Sequence, residues 1–161
     1  MARPPALATV QVGVISDTHG LVRPAAVAAL AGVDLIVHAG DVGGAEVIAA
    51  LEAIAPIHAV RGNTDHGAWA ARYPVTAVVE AGAALLYVLH DAAALDLDPR
   101  AAGFAAVITG HSHRAANRER DGVLFFNPGS AGPRRFTLPV TLGRLTVRGG
   151  EVRGEIVVLE P

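Results

Sequence analysis

Apolar runs that stop abruptly in small clusters of Asp, Asn and His constrain this chain more than any other feature. Residues 10–16 (Val-Gln-Val-Gly-Val-Ile-Ser) run into Asp17-Thr-His19-Gly20. Residues 34–38 run into Ala39-Gly-Asp41, and residues 56–61 into Gly62-Asn63-Thr-Asp65. Helix-like stretches lie between them: residues 25–31, with Pro24 for the first turn and Gly32 for the stop, and roughly residues 45–54. Strand, loop and helix repeated in this way predict parallel pairing with right-handed crossovers. That topology gathers the carboxyl ends of the strands along one edge, where open α/β sheets bind their ligands.

The second half changes character. Residues 75–80 and 83–89 read as strands joined at Ala81-Gly82, the second ending in His90-Asp91. A short helix is expected near residues 99–103, followed by an apolar strand at 104–109 that runs into Gly110-His111-Ser-His113. Residues 123–126 precede Asn127-Pro-Gly-Ser130, and residues 145–153 form a closing hairpin about Gly149-Gly150. With no repeat, low-complexity tract or linker, residues 1–161 suit a single domain, with residues 1–8 as a loose N-terminus. The expected fold is α/β: two β-sheets packed as a sandwich and flanked by helices. Aromatics supply only 4% of the chain, so the core falls to Ala, Val, Leu and Ile.

A net charge of −2 gives no electrostatic footprint for nucleic acid or an anionic membrane. No apolar run is long enough to cross a bilayer and the first residues lack a signal-peptide pattern, so a cytoplasmic location is expected. With no cysteine, thiolate metal sites are excluded. The five clusters offer only oxygen and imidazole, a set that suits Mn, Fe, Zn, Co or Ni. Asp-x-His and His-x-His just past a strand can aim both side chains at one ion, because alternate residues share a face. Two cations about 3.5–4 Å apart need a bridging carboxylate, and Asp41, central in the order, is the natural choice. The glycines before Asp41, Asn63 and His111 allow a sharp turn or close backbone approach.

Taken in order, Asp17-x-His19, Gly40-Asp41, Gly62-Asn63-x-Asp65, His90 and Gly110-His111-Ser-His113 resemble the calcineurin-like metallophosphoesterase superfamily. The short length and Asn127-Pro-Gly-Ser130 make the chain similar to its small YfcE-type phosphodiesterases, over about residues 10–130. The resemblance implies one metal on Asp17, His19, Asp41 and His113, and a second on Asp41, Asn63, His90 and His111. It further implies two divalent cations, Mn²⁺ first, with a hydroxide between them attacking phosphorus while Asp41, His111 and Asn63 serve the reaction. The implied substrate is a small phosphoester, most naturally a diester, with Asn63, Asp65 and Arg114 as substrate contacts and a homodimer or homotetramer as an assembly.

Two positions depart from the family pattern. Thr64 stands where many relatives carry a histidine able to protonate the leaving group, which favours diesters over simple alkyl monoesters. Asp91 replaces a glycine after His90; it can tolerate the turn or act as an acceptor that orients an imidazole. His38, His58 and His66 are read as structural or surface residues, and Arg134-Arg135 as a second basic pair near phosphate or solvent. Trp69 and Tyr73 are read as ordinary packing. Two rival functions remain: a scaffold like the retromer-coat subunit of the same fold, whose metal site is degraded, and a metallohydrolase of non-phosphate esters.

Overall fold

A computed structural model describes residues 8–161. The loose N-terminus expected at residues 1–8 lies, apart from Ala8, outside the described residues. The first half runs β1 (Thr9–Ile15), α1 (Pro24–Ala29), β2 (Leu35–His38), α2 (Ala45–Glu52) and β3 (Ile57–Ala59). The second half runs β4 (Thr76–Ala81), β5 (Ala84–Leu89), β6 (Ala106–Ile108), β7 (Ala116–Arg120), β8 (Val123–Asn127), β9 (Val140–Arg148) and β10 (Glu151–Glu160). These strands build two five-stranded sheets, ordered β10-β9-β1-β2-β3 and β4-β5-β6-β8-β7.

In the first sheet β1, β2 and β3 pair in parallel, as the alternating pattern predicts, while β9 and then β10 extend it antiparallel on the far side of β1. In the second, β5, β6 and β8 are parallel, and β4 and β7 flank them antiparallel. The closing hairpin turns at Gly149 and Gly150, both at positive φ (57° and 81°), the geometry a two-residue turn between twisted strands requires.

The apolar runs are continuous because both faces of the central strands are covered. Val12 and Val14 of β1 face the second sheet and meet Leu86, Val88, Ile108 and Phe126. The alternate residue Ile15 points the other way, with Ile36, into Leu30 of α1 and Val47, Ile48 and Leu51 of α2. Each such side chain, fully buried, contributes on the order of 1.5–3 kcal/mol.

The outer layer of the second sheet differs from expectation. Tyr87, Leu89, Val107 and Val123 are covered by Leu95, Leu97 and Phe104, which come from loop and a single 3-10 turn at Ala92–Ala94. The helix expected near residues 99–103 is one helical turn. Asp98 caps it by accepting the Arg100 and Ala101 N–H groups, and Gly103 at φ 83° stops it. Among the described residues α-helices therefore flank one sheet only, and none is long and apolar enough to cross a membrane.

Candidate metal centre

The carboxyl ends of β1, β2 and β3 and those of β5, β6 and β8 open on one rim of the sandwich, and backbone bonds tie the loops there. Asp17 N–H donates to the Gly40 carbonyl at 3.0 Å, Gly110 N–H to the His90 carbonyl at 2.9 Å, and Ala131 N–H to the Ser16 carbonyl at 3.1 Å. The chain bends sharply on this rim. Asp17, His19, Asp41, His111 and His113 all sit at positive φ, between 45° and 72°. A side chain in that region costs roughly 1–2 kcal/mol and persists only where its surroundings over-determine it.

Those bends bring six side chains together. Asp17, His19 and His113 form one group, and Asp41, His90 and His111 another, each with one ligand atom per residue and all three within 4.8 Å of one another. Asp17 Oδ1 lies 3.4 Å from His113 Nε2, 3.9 Å from His90 Nε2 and 4.0 Å from His19 Nε2. Asp41 Oδ2 lies 3.2 Å from His90 Nε2 and 3.8 Å from His19 Nε2, so it faces both groups. Asn63 Oδ1 is 3.1 Å from His111 Nδ1. All seven residues read from the sequence as ligands thus stand on this rim.

Each aspartate divides its two oxygens differently. Asp17 Oδ2 accepts the Ser16 hydroxyl at 2.7 Å and the His111 N–H at 3.1 Å, leaving Oδ1 to the site. Asp41 Oδ1 accepts the Thr64 N–H at 3.0 Å and leaves Oδ2. Asp65, read from the sequence as a substrate contact, has no oxygen to spare and is buried. Oδ2 accepts from Gly62 and Val42 and Oδ1 from Gly43, at 2.8–3.1 Å. It braces the loops that carry Asp41 and Asn63, and that reading is corrected. Arg114 is exposed beside His113, and its guanidinium makes no hydrogen bond or ion pair among the described residues.

Four buried polar atoms have no hydrogen-bond partner among the described residues: Asp17 Oδ1, His19 Nε2, His90 Nε2 and His113 Nδ1. Polar atoms buried in this way are costly unless something ligates them. Three of the four, together with Asp41 Oδ2, point at one another. Ligands at about 2.0–2.2 Å from a shared ion sit roughly 3–3.5 Å apart, the spacing of the closest pairs here. The donor set therefore fits hard or borderline divalent cations.

The protonation states of Asp41 and His113 favour the same reading, and protonation of His90 competes with a metal. Burial works to raise the Asp41 carboxyl, but the contacts and charge of His90 and the Thr64 N–H outweigh it and hold it well below the usual carboxylate range. Burial, aided by the Arg135 charge and opposed by Asp17, pushes His113 below the ordinary histidine value. Burial also lowers His90, yet its contact with Asp41, its bond to the Ala39 carbonyl (2.7 Å from Nδ1) and the Asp17 charge raise it overall. Nδ1–H directed at that carbonyl leaves Nε2 for the site.

Braces invisible in the motifs complete the centre. His38 is fully buried; its Nδ1 accepts the Gly40 N–H at 3.1 Å, so Nε2 carries the proton and donates to Thr18 Oγ1 at 2.9 Å. Burial pushes its pKa down to about 3. Asn127 Nδ2 donates to the Gly110 carbonyl at 2.9 Å, and Ser130 Oγ to the Asp17 carbonyl at 3.1 Å. The Asn127-Pro-Gly-Ser130 pattern marks this loop in the sequence, whereas nothing there marks His38 as more than a core residue. His58 and His66 are exposed and do not join the site.

Residues 10–150 match the calcineurin-like phosphoesterase superfamily domain. A probable metallophosphoesterase of Methanothermobacter thermautotrophicus is 30% identical over 158 residues, covering 91% of each chain. Among solved structures, an archaeal phosphodiesterase superposes with a TM-score of 0.76 at 26% identity, over 92% of this chain and 100% of that one. The E. coli phosphoesterase Yfce matches with a TM-score of 0.65 at 21% identity, over 94% of this chain and 100% of that one. Vacuolar protein sorting 29 of Cryptosporidium parvum matches with a TM-score of 0.75 at 18% identity, over 95% and 99%, a likeness of fold.

Proposed function

This chain belongs to the calcineurin-like phosphoesterase superfamily, and from that premise we propose that it is a phosphodiesterase dependent on two divalent cations. The observation that carries the reading is the convergence of buried ligand atoms left without partners on the strand-end rim. Asp17, His19, Asp41 and His113 would hold one cation, and Asp41, Asn63, His90 and His111 the other, with Asp41 shared by both. When bound, such a pair supplies Lewis acidity toward phosphoryl oxygens and a water deprotonated near neutral pH. Mn²⁺ is our choice, since oxygen and imidazole suit it, although affinity alone would favour metals later in the Irving–Williams series.

The protein's own residues do the positioning. The Thr64 N–H keeps Asp41 ionised and turned to the rim, and the His111 N–H holds Asp17 Oδ2 so that Oδ1 faces the site. Asn63 and His111, the exposed members, are the two that an incoming phosphoryl group can reach, so they orient it. Thr64 contributes its backbone rather than an imidazole, and no other histidine replaces the missing proton donor in the third motif. A leaving group that needs no protonation suits such a site, and diesters are expected to outpace alkyl monoesters.

The test is hydrolysis of bis(p-nitrophenyl) phosphate with added Mn²⁺ by the wild type, Asp41→Asn and His111→Ala. Metal-dependent turnover that both substitutions abolish supports the reading; an inert wild type with either metal content sinks it. The scaffold reading draws on the likeness to vacuolar protein sorting 29. It is disfavoured because every ligand position is filled here, and it would prevail if the wild type were inert yet captured a protein partner.

A further inference from the structure

Beside the open half of the metal rim lies a cavity of about 290 Å³ that the ligand assignments leave unexplained. His90, His111 and Asn63 form the side nearest the metals, and Val75, Leu89 and Ala94 form apolar walls. Val75 is 54% exposed, so a substitution there can reach into the cavity without disturbing the core. Two charged groups complete the lining. Arg61 is anchored by a 3.3 Å bond from Nη1 to the Tyr73 carbonyl and has no acidic partner among the described residues. Asp91 accepts the Ala93 N–H at 3.0 Å through Oδ1, while Oδ2 stays 3.9 Å from His111 Nε2.

We propose that this cavity is the subsite for one organic arm of the phosphodiester, and that its shape and chemistry select an uncharged, planar heterocycle of nucleobase size. The inference rests on the phosphoesterase reading only for what binds at the metals. Drug-sized ligands occupy roughly 300–1,000 Å³, so this volume accepts one ring system and excludes a longer chain. Apolar walls favour a flat ring face. The ring nitrogens and exocyclic groups of a heterocycle can pair with the Arg61 donor and the Asp91 acceptor, which a plain hydrocarbon cannot do. The Asp91 carboxylate opposes a second phosphate there, so the subsite prefers a diester arm over a polyphosphate. Asp91 supplies the acceptor of this subsite, which makes it a specificity determinant.

The test reads binding and turnover separately. Adenosine and uridine are titrated into the full Zn²⁺-loaded chain while the methyl resonances of Leu89 and Ala94 are followed by NMR. Saturable shifts are expected in the wild type, with affinity weakened at least tenfold in Val75→Trp, which fills the cavity from a half-exposed position. Arg61→Ala, which leaves the walls intact, should weaken binding as well. Shifts that are absent, or equal in the wild type and both variants, overturn the proposal. In parallel, kcat/KM is compared for a nucleoside 5′-(p-nitrophenyl phosphate) and methyl p-nitrophenyl phosphate. The ratio should fall about tenfold in both variants; an unchanged ratio overturns the proposal too. Nucleosides that bind in the cavity of a chain that cleaves no diester with any metal would uphold the subsite and overturn the hydrolase reading.

Discussion

The two halves of the metal rim are built from the same residue types but to opposite ends. Asp17 and His113 are enclosed: both side chains are nearly inaccessible, and Ser16, Ser130 and Asn127 bind the loops that bear them. Around His111 and Asn63 the rim is open, with the His111 side chain 46% exposed and the cavity beside it. The difference separates retention from reception. The enclosed half has the means to keep an ion, and the open half the means to meet a substrate.

The sharpest attempt to break that division is removal of the shared carboxylate. Asp41→Asn should lower diester hydrolysis by roughly 10³-fold, of the order seen when a preorganised charge-stabilising group is lost, with bound metal falling by elemental analysis. His113→Ala and His111→Ala then test the halves against each other. The former should mainly deplete metal; the latter should lower turnover while more metal is retained. Equal metal loss in both would break the comparison. Next comes Gly110→Ala, whose added methyl would strike Ser16 Oγ and approach Asp17 Oδ2 to 2.8 Å. A destabilisation of about 1–3 kcal/mol in chemical denaturation is expected, with weakened metal retention.

Acidity sharpens the comparison from beneath. His38 in the folded chain titrates at about 3 against the ordinary 6.5, so the unfolded chain takes up a proton first as pH falls. Stability from this group is complete above pH 6.5 and declines towards pH 3 by about 1.4 kcal/mol per pH unit. Denaturation of His38→Asn should show a flatter profile between pH 6.5 and 4. His90 acts in the other direction on its ion. Its value is raised, so as pH falls it takes up a proton before an ordinary histidine would, and metal affinity should weaken by up to about tenfold per pH unit below its titration. Metal titrations of the wild type and His90→Ala across about pH 5 to 8 would check this, and an identical pH dependence in both would remove His90 from the ligand set.

Much of this was legible in the sequence because the first half alternates cleanly. A buried parallel strand must be apolar, so polar clusters at 17, 41 and 63 announce where each strand ends. Strand β7 was not legible. Ala-Asn-Arg-Glu-Arg is exposed on a sheet edge, where no burial imposes a pattern and charge serves to protect the edge. The turn at residues 99–103 has the Pro start and Gly stop of a helix, but too few residues between them to propagate one. Asp65 was misread as a substrate contact for a related cause: composition cannot tell a carboxylate saturated by three backbone N–H groups from one held in reserve. The left-handed backbone at Asp17, His19, Asp41, His111 and His113 left no trace either, since only tertiary contacts make those residues accept it.

The proposed ligands come from both sheets: Asp17, His19 and Asp41 follow strands of one, His90, His111 and His113 strands of the other. An ion bound there is thermodynamically a cross-link between the sheets, one whose strength is set by concentration. Occupancy at a hundred times the dissociation constant adds about 2.7 kcal/mol to folding, and a thousandfold excess about 4.1 kcal/mol. The melting temperature of this chain therefore doubles as a gauge of free metal, and a chelator strong enough to silence the site would also ease the sandwich apart from its active rim.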